Sequence, residues 1–220
     1  MKARNAFLVL LTAGVVGSAV WLIFFSPVLG VRNVEIVGNL TVPTDQIKQQ
    51  VGVPDLHPLA TVDLAGVQSR VLGIRQLASA RVDRIWPGTL RIEVTEREAV
   101  AVVPVQGKAA LIDKDGVVIE IRSVGPPRLP VLVVDRPSSN DPATRAALQV
   151  IGTLPAILQG KVRQVRATSA EGVSLDLNDR RTVVWGGPDR AEDKARILAT
   201  LLKRKGTVYD VSSPDVVTLK

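Results

Sequence analysis

The amino-acid sequence predicts an α+β protein: a single N-terminal transmembrane helix, then a compact β-α-α-β-β module, then a mostly antiparallel β domain with two helices. Three observations predict it. Ala6–Phe25 is an uncharged, apolar run of 20 residues unlike anything else in the chain. Residues 31–98 pass from alternating to helical hydrophobic spacing and back. From 99 to 220, short alternating runs are separated by turn residues and interrupted by two stretches of helical spacing.

The run at 6–25 contains 12 Leu, Ile, Val or Phe residues. At about 1.5 Å per residue, a helix of this length matches the roughly 30 Å hydrocarbon core of a bilayer. Its aliphatic and Phe residues contribute roughly 4–7 kcal/mol toward insertion. Lys2 and Arg4 precede it, and no Asp or Glu occurs before Glu35. The positive-inside rule therefore puts residues 1–5 in the cytoplasm and the rest outside the inner (plasma) membrane. The run exceeds the roughly 7–15 residues of a secretory signal core, so it is expected to stay as an anchor rather than be cleaved near Val28-Leu29-Gly30.

Of 28 Lys and Arg, removing Lys2 and Arg4 leaves 26 beyond the span, against 21 Asp and Glu. These charges are scattered and aromatic residues are scarce, which argues against nucleic acid as a partner. The modest excess suits a solvated basic surface, or contact with anionic headgroups or wall polymers. With no cysteine, the chain has no disulfides, thiolate nucleophiles or cysteine zinc sites.

Within 31–98, Val34 and Ile36 alternate with polar neighbours as in a half-buried strand, and Gly38-Asn39 ends it. Thr44 is placed to cap a short helix carrying Ile47 and Val51, with Gly52 as its stop. Asp63 is placed to cap a second helix, whose Leu64, Val67, Val71 and Leu72 form one stripe before Gly73. Ala80, Val82, Arg84 and Trp86 share one face of the next strand. Pro87-Gly88 turns the chain, and Leu90, Ile92 and Val94 then alternate with Arg91, Glu93 and Thr95. Trp86, at the hairpin corner, is expected to pack into the core, with a contact surface as the functional alternative.

Beyond residue 99, Leu111-Ile112 and Val117–Ile119 flank a turn at Asp113-Lys114-Asp115-Gly116. Leu129–Val134 reads as a strand. A helix is expected from Asp141 with Pro142 at its first position, carrying Ala143, Ala147, Val150, Ile151 and Leu154 inward. Val162–Ala167, Val173–Leu177 and Thr182–Trp185 read as strands. In the last helix, Asp189 and Glu192 have capping-box spacing, and Lys203, Arg204 and Lys205 fall at its negative end before Gly206. Val208–Val211 is the final strand expected, followed by a short tail to Lys220.

The sequence offers no site for chemistry. His57, the single histidine, lies in a proline-rich loop with no nucleophile motif elsewhere for it to serve. Gly107-Lys108 and Gly160-Lys161 have Val102 and Pro155 where a phosphate loop needs glycine. The Asp113–Gly116 turn lacks the third carboxylate and closing Glu of a calcium loop. Gly186-Gly187-Pro188 precedes a helix but reads as an ordinary connection. No catalytic residue, cofactor or metal ligand is therefore expected.

Several segments resemble a known family. Val31-Arg32-Asn33-Val34-Glu35-Ile36-Val37-Gly38-Asn39 is similar to the opening strand and Gly-Asn turn of the bacterial cell-division family FtsQ/DivIB. Arg84-Ile85-Trp86-Pro87-Gly88-Thr89-Leu90, continuing through Ile92, Val94, Glu96 and Arg97, resembles that family's Arg-x-Trp-Pro hairpin ending in Glu-Arg. Ala99 stands where the family often has proline. Leu111-Ile112-Asp113 with Asp115-Gly116-Val117, then Leu129-Pro130-Val131-Leu132, resemble the start of its β domain. Tyr209-Asp210-Val211-Ser212-Ser213-Pro214-Asp215 resembles its last strand and the exit from it. The likeness covers almost the whole chain, although many members have more than five residues before the span.

The resemblance implies a POTRA-like domain over 31–98 and a β domain over 99–220 with a C-terminal edge strand. It also implies a non-enzymatic, bitopic scaffold at the division septum. Such a scaffold binds small bitopic division proteins, FtsB/DivIC-like and FtsL-like, through the end of the β domain. The residues expected to bind them by strand addition are Val208, Tyr209, Asp210, Val211, Ser212 and Ser213, with Asp215, Val216 and Val217 just beyond. The competing reading of that segment is a strand paired on both sides, with Val208 and Val211 in the core. Two other functions compete. A POTRA-type module of an export or outer-membrane assembly system would call for repeated modules and a barrel. An anchored wall-binding protein or enzyme would call for aromatic platforms or a carboxylate cleft.

Overall fold

The structure is a computed structural model that describes residues 2–155, 158–215 and 218–219. Two compact units divide the chain, Met1–Arg97 and Glu98–Lys220.

The first unit opens with helix α1, Lys2–Phe25. Its Phe7–Phe25 stretch is long and apolar enough to cross a membrane and is not buried inside the molecule. The hydroxyl of Ser26 accepts from the Val28 N–H at 3.2 Å and caps a 3-10 turn, Pro27–Leu29. Strand β1 (Asn33–Val37), helices α2 (Thr44–Val51) and α3 (Leu64–Leu72), and strands β2 (Leu77–Ile85) and β3 (Thr89–Glu96) follow. The sheet order is β1-β3-β2, with β3 parallel to β1 and antiparallel to β2. A parallel pair needs a crossover, and the helices lie within it.

Strand alternation puts Leu90, Ile92 and Val94 inward against Ile47 of α2 and Val67 and Val71 of α3. Gly52, at φ 59°, takes the left-handed conformation that ends α2. The Asp63 carboxylate caps α3 by accepting from the Gly66 N–H at 3.0 Å. Three local expectations are corrected. Pro43, not Thr44, holds the cap position of α2, and the Thr44 hydroxyl accepts from Asn39 Nδ2 instead. Leu72 turns out of the α3 stripe and is 39% exposed, being one residue past Val71 on the helical wheel. Trp86 is 50% exposed, because β2 ends at Ile85 and the hairpin corner leaves the sheet before it.

At the far end of β3, Glu96 fixes the loop after β1. Its carboxylate accepts from the Leu40, Thr41 and Val42 N–H groups at 2.7, 2.8 and 2.9 Å, and from the Thr41 hydroxyl. Partial desolvation pushes its pKa up. The Thr41 hydroxyl and the three backbone donors outweigh that and bring it from the usual 4.5 to about 2.

The second unit contains β4 (Ala101–Val105), β5 (Lys108–Ile112), β6 (Val118–Arg122), β7 (Val131–Val133), helix α4 (Pro142–Thr153), β8 (Val162–Ala167), β9 (Val173–Leu177), β10 (Thr182–Gly186), helix α5 (Ala191–Leu201), β11 (Val208–Asp210) and β12 (Thr218–Leu219). One nine-stranded sheet runs β12-β11-β10-β9-β8-β7-β4-β5-β6. Only β4–β7, β7–β8 and β10–β11 are parallel; the other pairs are antiparallel. Ala147 and Val150 of α4 and Leu198 of α5 join Val165, Leu175, Val183, Trp185 and Tyr209 in one core.

Asp141 caps α4, its carboxylate accepting from the Thr144 N–H at 2.7 Å. The β5–β6 turn is held by Asp113, which is buried and accepts from the Asp115 and Val117 N–H groups at 3.0 and 2.8 Å. That carboxylate is a structural turn element. The start of α5 differs from the expected capping box. Arg190, at φ 49°, occupies the cap position, and its side chain makes no capping hydrogen bond. Asp189 Oδ1 instead lies 3.3 Å from the fully buried Lys194 ammonium, which also donates to the Gly187 carbonyl at 2.9 Å. The helix ends at Leu201, so Lys203–Lys205 follow it rather than sit in its last turn.

Candidate partner-binding edge of the β domain

Strand β11 sits between two neighbours. On one side it runs parallel to β10, with Thr182, Val183 and Val184 opposite Val208, Tyr209 and Asp210. The ladder is extended by Thr182 N–H to Thr207 O at 2.9 Å and Val211 N–H to Val184 O at 3.0 Å. On the other side, Leu219 and Thr218 of β12 lie antiparallel to Tyr209 and Asp210. The expectation that Val208–Val211 forms an exposed edge is therefore corrected. Thr218 and Leu219 cover that edge.

Burial divides the nine expected binding residues. Tyr209 and Val211 have no exposed surface, so their side chains support the sheet. The Tyr209 hydroxyl lies 2.9 Å from the Arg204 carbonyl and 3.0 Å from that of Gly206, and its one proton serves both. The Arg181 guanidinium stands 5.6 Å from the ring centroid. It donates to Leu202 O at 2.9 Å and to Asp179 Oδ2 at 2.7 Å. The Asp179 pair raises the Arg181 pKa and lowers that of Asp179. This cation locks the loop after α5 over the ring. Val208 and Asp210 are half-buried, and Ser212, Ser213 and Asp215 are exposed. Val216 and Val217 lie outside the described residues.

Three devices direct the chain as it leaves β11. The Asp210 carboxylate accepts from the Ser212 N–H at 3.0 Å and from its hydroxyl at 2.7 Å, closing a tight turn. Ser212 passes so close to Gly186 that a Cβ there would meet Ser212 Cβ at 2.9 Å; with φ at 78°, glycine is the residue this crossing needs. Arg190 then holds Asp215 by two hydrogen bonds of 2.9 and 3.3 Å, and its cation lowers the Asp215 pKa.

The two ends of the sheet differ. β6 carries Glu120 and Arg122, which pair at 2.5 Å, and such edge charges discourage strand addition. β12 is the outermost strand at the other end and is two residues long. Sequence reasoning missed β12 and β4. A two-residue strand has no hydrophobic period to detect, and β4 carries Pro104, a strand breaker by composition.

Residues 29–97 match the POTRA domain of FtsQ type, and residues 101–217 match the C-terminal region of cell division protein FtsQ/DivIB. The chain belongs to the FtsQ/DivIB family. It is 43% identical over 199 residues to cell division protein FtsQ of Mycolicibacterium smegmatis, covering 90% of this chain and 60% of that protein. Against FtsQ of Mycobacterium tuberculosis H37Rv the identity is 38% over 221 residues, 100% of this chain and 70% of the relative. FtsQ of Streptomyces venezuelae is 33% identical over 218 residues, 93% of this chain and 80% of the relative. The chain thus spans about three fifths of the M. smegmatis protein's length. Within the FtsQ/DivIB match, the Arg-x-Trp-Pro hairpin is the β2–β3 corner, and its closing Glu is the Glu96 that clasps the loop after β1.

Proposed function

We propose that the chain is a non-catalytic, single-pass scaffold of the division septum, with its N-terminus cytoplasmic and both folded units outside. Its β domain binds FtsB/DivIC-like and FtsL-like bitopic proteins by adding a strand along β12. The single observation that supports this reading most is the end of the nine-stranded sheet. Residues of the expected segment, with Arg190, build that edge: Tyr209 and Val211 anchor it, Asp210 and Arg190 aim it, and β12 lies outermost. An added strand would gain affinity from backbone hydrogen bonds and specificity from the exposed Ser212, Ser213 and Asp215 alongside.

The test is truncation after Asp215, which keeps β11, its core residues and the Arg190–Asp215 pair. The truncated protein is expected to remain in the membrane with an unchanged thermal transition, and to lose co-purification of the FtsB-like and FtsL-like partners. Undiminished co-purification rejects β12 as the binding edge.

A further inference from the structure

The segment that leaves α1 is not a loose tether. Ser26, Gly30 and Val31 are buried, and the linker is stitched to two separate loops of the first unit. Val31 N–H donates to His57 O at 2.8 Å, and Leu56 N–H donates to Val31 O at 2.9 Å. Gly30 forms a bridge with Pro58, so close that a Cβ at position 30 would lie 2.3 Å from Leu56 O. On its other side, the Arg32 and Asn33 N–H groups donate to Gly88 O at 2.8 and 3.2 Å. The 3-10 turn Leu59–Thr61 lies against α1 itself.

Five residues separate Phe25 from Val31, three of them in a 3-10 turn. Their greatest reach is roughly 13 Å, at about 2 Å per 3-10 residue and 3.5 Å per extended one. A headgroup layer is roughly 5–7 Å thick. Two loops are thereby held next to the exit of the span, and both expose large apolar side chains there. Trp86 is 50% exposed at the β2–β3 corner and Leu56 is 51% exposed in the other loop. Exposed Arg32 runs beside the same corner, its Cγ 3.5 Å from where a Cβ on Gly88 would sit. An aromatic with a polar N–H, an aliphatic residue and a cation in one place is the composition that the membrane–water interface favours.

We infer that the Trp86 corner and the Leu56 loop rest in the headgroup layer of the leaflet from which α1 emerges, so that the first unit stands on the bilayer in a fixed orientation. This rests on α1 spanning the membrane, as in the function proposed above. Burial of the corner by the lipid accounts for a large aromatic left half-open on a module whose other inward positions are closed.

The absence of cysteine makes the test clean. Full-length single-cysteine variants Trp86→Cys, Leu56→Cys, Leu40→Cys and Val15→Cys are labelled with a fluorophore and reconstituted in vesicles of phosphatidylglycerol and phosphatidylcholine. Lipids spin-labelled near the headgroup serve as quenchers. Leu40 is 88% exposed at the opposite end of β3 and serves as the aqueous reference. Labels at 86 and 56 are expected to be quenched several-fold more than the label at 40. A label at 15 that is buried in lipid, with 86 and 56 no more quenched than 40, overturns the inference while leaving the span intact. A water-accessible label at 15 overturns the spanning helix and the inference with it.

Discussion

The two folded units solve the same problem, closing a sheet over helices, with different numbers of parallel crossovers. In the first unit the strand β3 lies at the centre, and its hairpin partner β2 is adjacent in sequence. One crossover brings in β1. In the second unit the sheet places β7 between β4 and β8, and β11 between β10 and β12. Its order therefore depends on three parallel pairings that no local turn can impose. Their fastenings differ accordingly. The first unit is pinned by one carboxylate that binds the neighbouring loop's backbone, whereas the second hangs its last strand on a buried tyrosine and a surface ion pair. One parallel crossover sets the strand order of the first unit, whereas the second needs three.

Substitutions separate the two designs. The largest effect is expected from Tyr209→Ala, which removes a fully buried ring and its hydroxyl bonds. A loss of about 3–5 kcal/mol follows from large-to-small changes in cores. Amide exchange should accelerate in β10 and β11, while β3 of the first unit keeps its protection. Equal loss of protection in β3 would break the two-core comparison.

Glu96→Gln should cost the first unit about 1 kcal/mol, less than the usual charged hydrogen bond because the carboxylate is partly solvated. The pH dependence has a definite sign. With the folded pKa lowered from 4.5 to about 2, the ionised carboxylate contributes fully above about 4.5. Its contribution fades as pH falls through that window. Urea unfolding of wild type and variant should thus differ at pH 6 and converge toward pH 2, where pH 6 is roughly a unit or more above the usual carboxylate range. A gap that persists at low pH would assign the effect to shape rather than charge.

The smallest effect is expected from Arg190→Ala. Its pair with Asp215 is solvent-exposed and screened, so the thermal transition should barely move. Partner affinity should fall modestly at low salt and match wild type at high salt. A fall independent of salt would show that Arg190 shapes the turn by its left-handed backbone and not by its charge.

Much of this was written in the sequence. Leu90, Ile92 and Val94 face inward because strand alternation requires it, Gly52 and Asp63 stop and start helices where expected, and Val162–Ala167 and Val173–Leu177 span the residues foreseen. The uncharged run ahead of residue 26 and the Trp-Pro-Gly corner were equally legible, since each is a contiguous signal. Tertiary structure alone decided the rest. Whether Val208–Asp210 is an edge depends on Thr218–Leu219 returning to pair with it, and whether Trp86 is core or surface depends on where β2 leaves the sheet. The first kind of fact is set by neighbours along the chain, through backbone geometry and hydrophobic period. The second is set by neighbours in space, and pairing partners far apart in sequence leave no periodic mark on either segment.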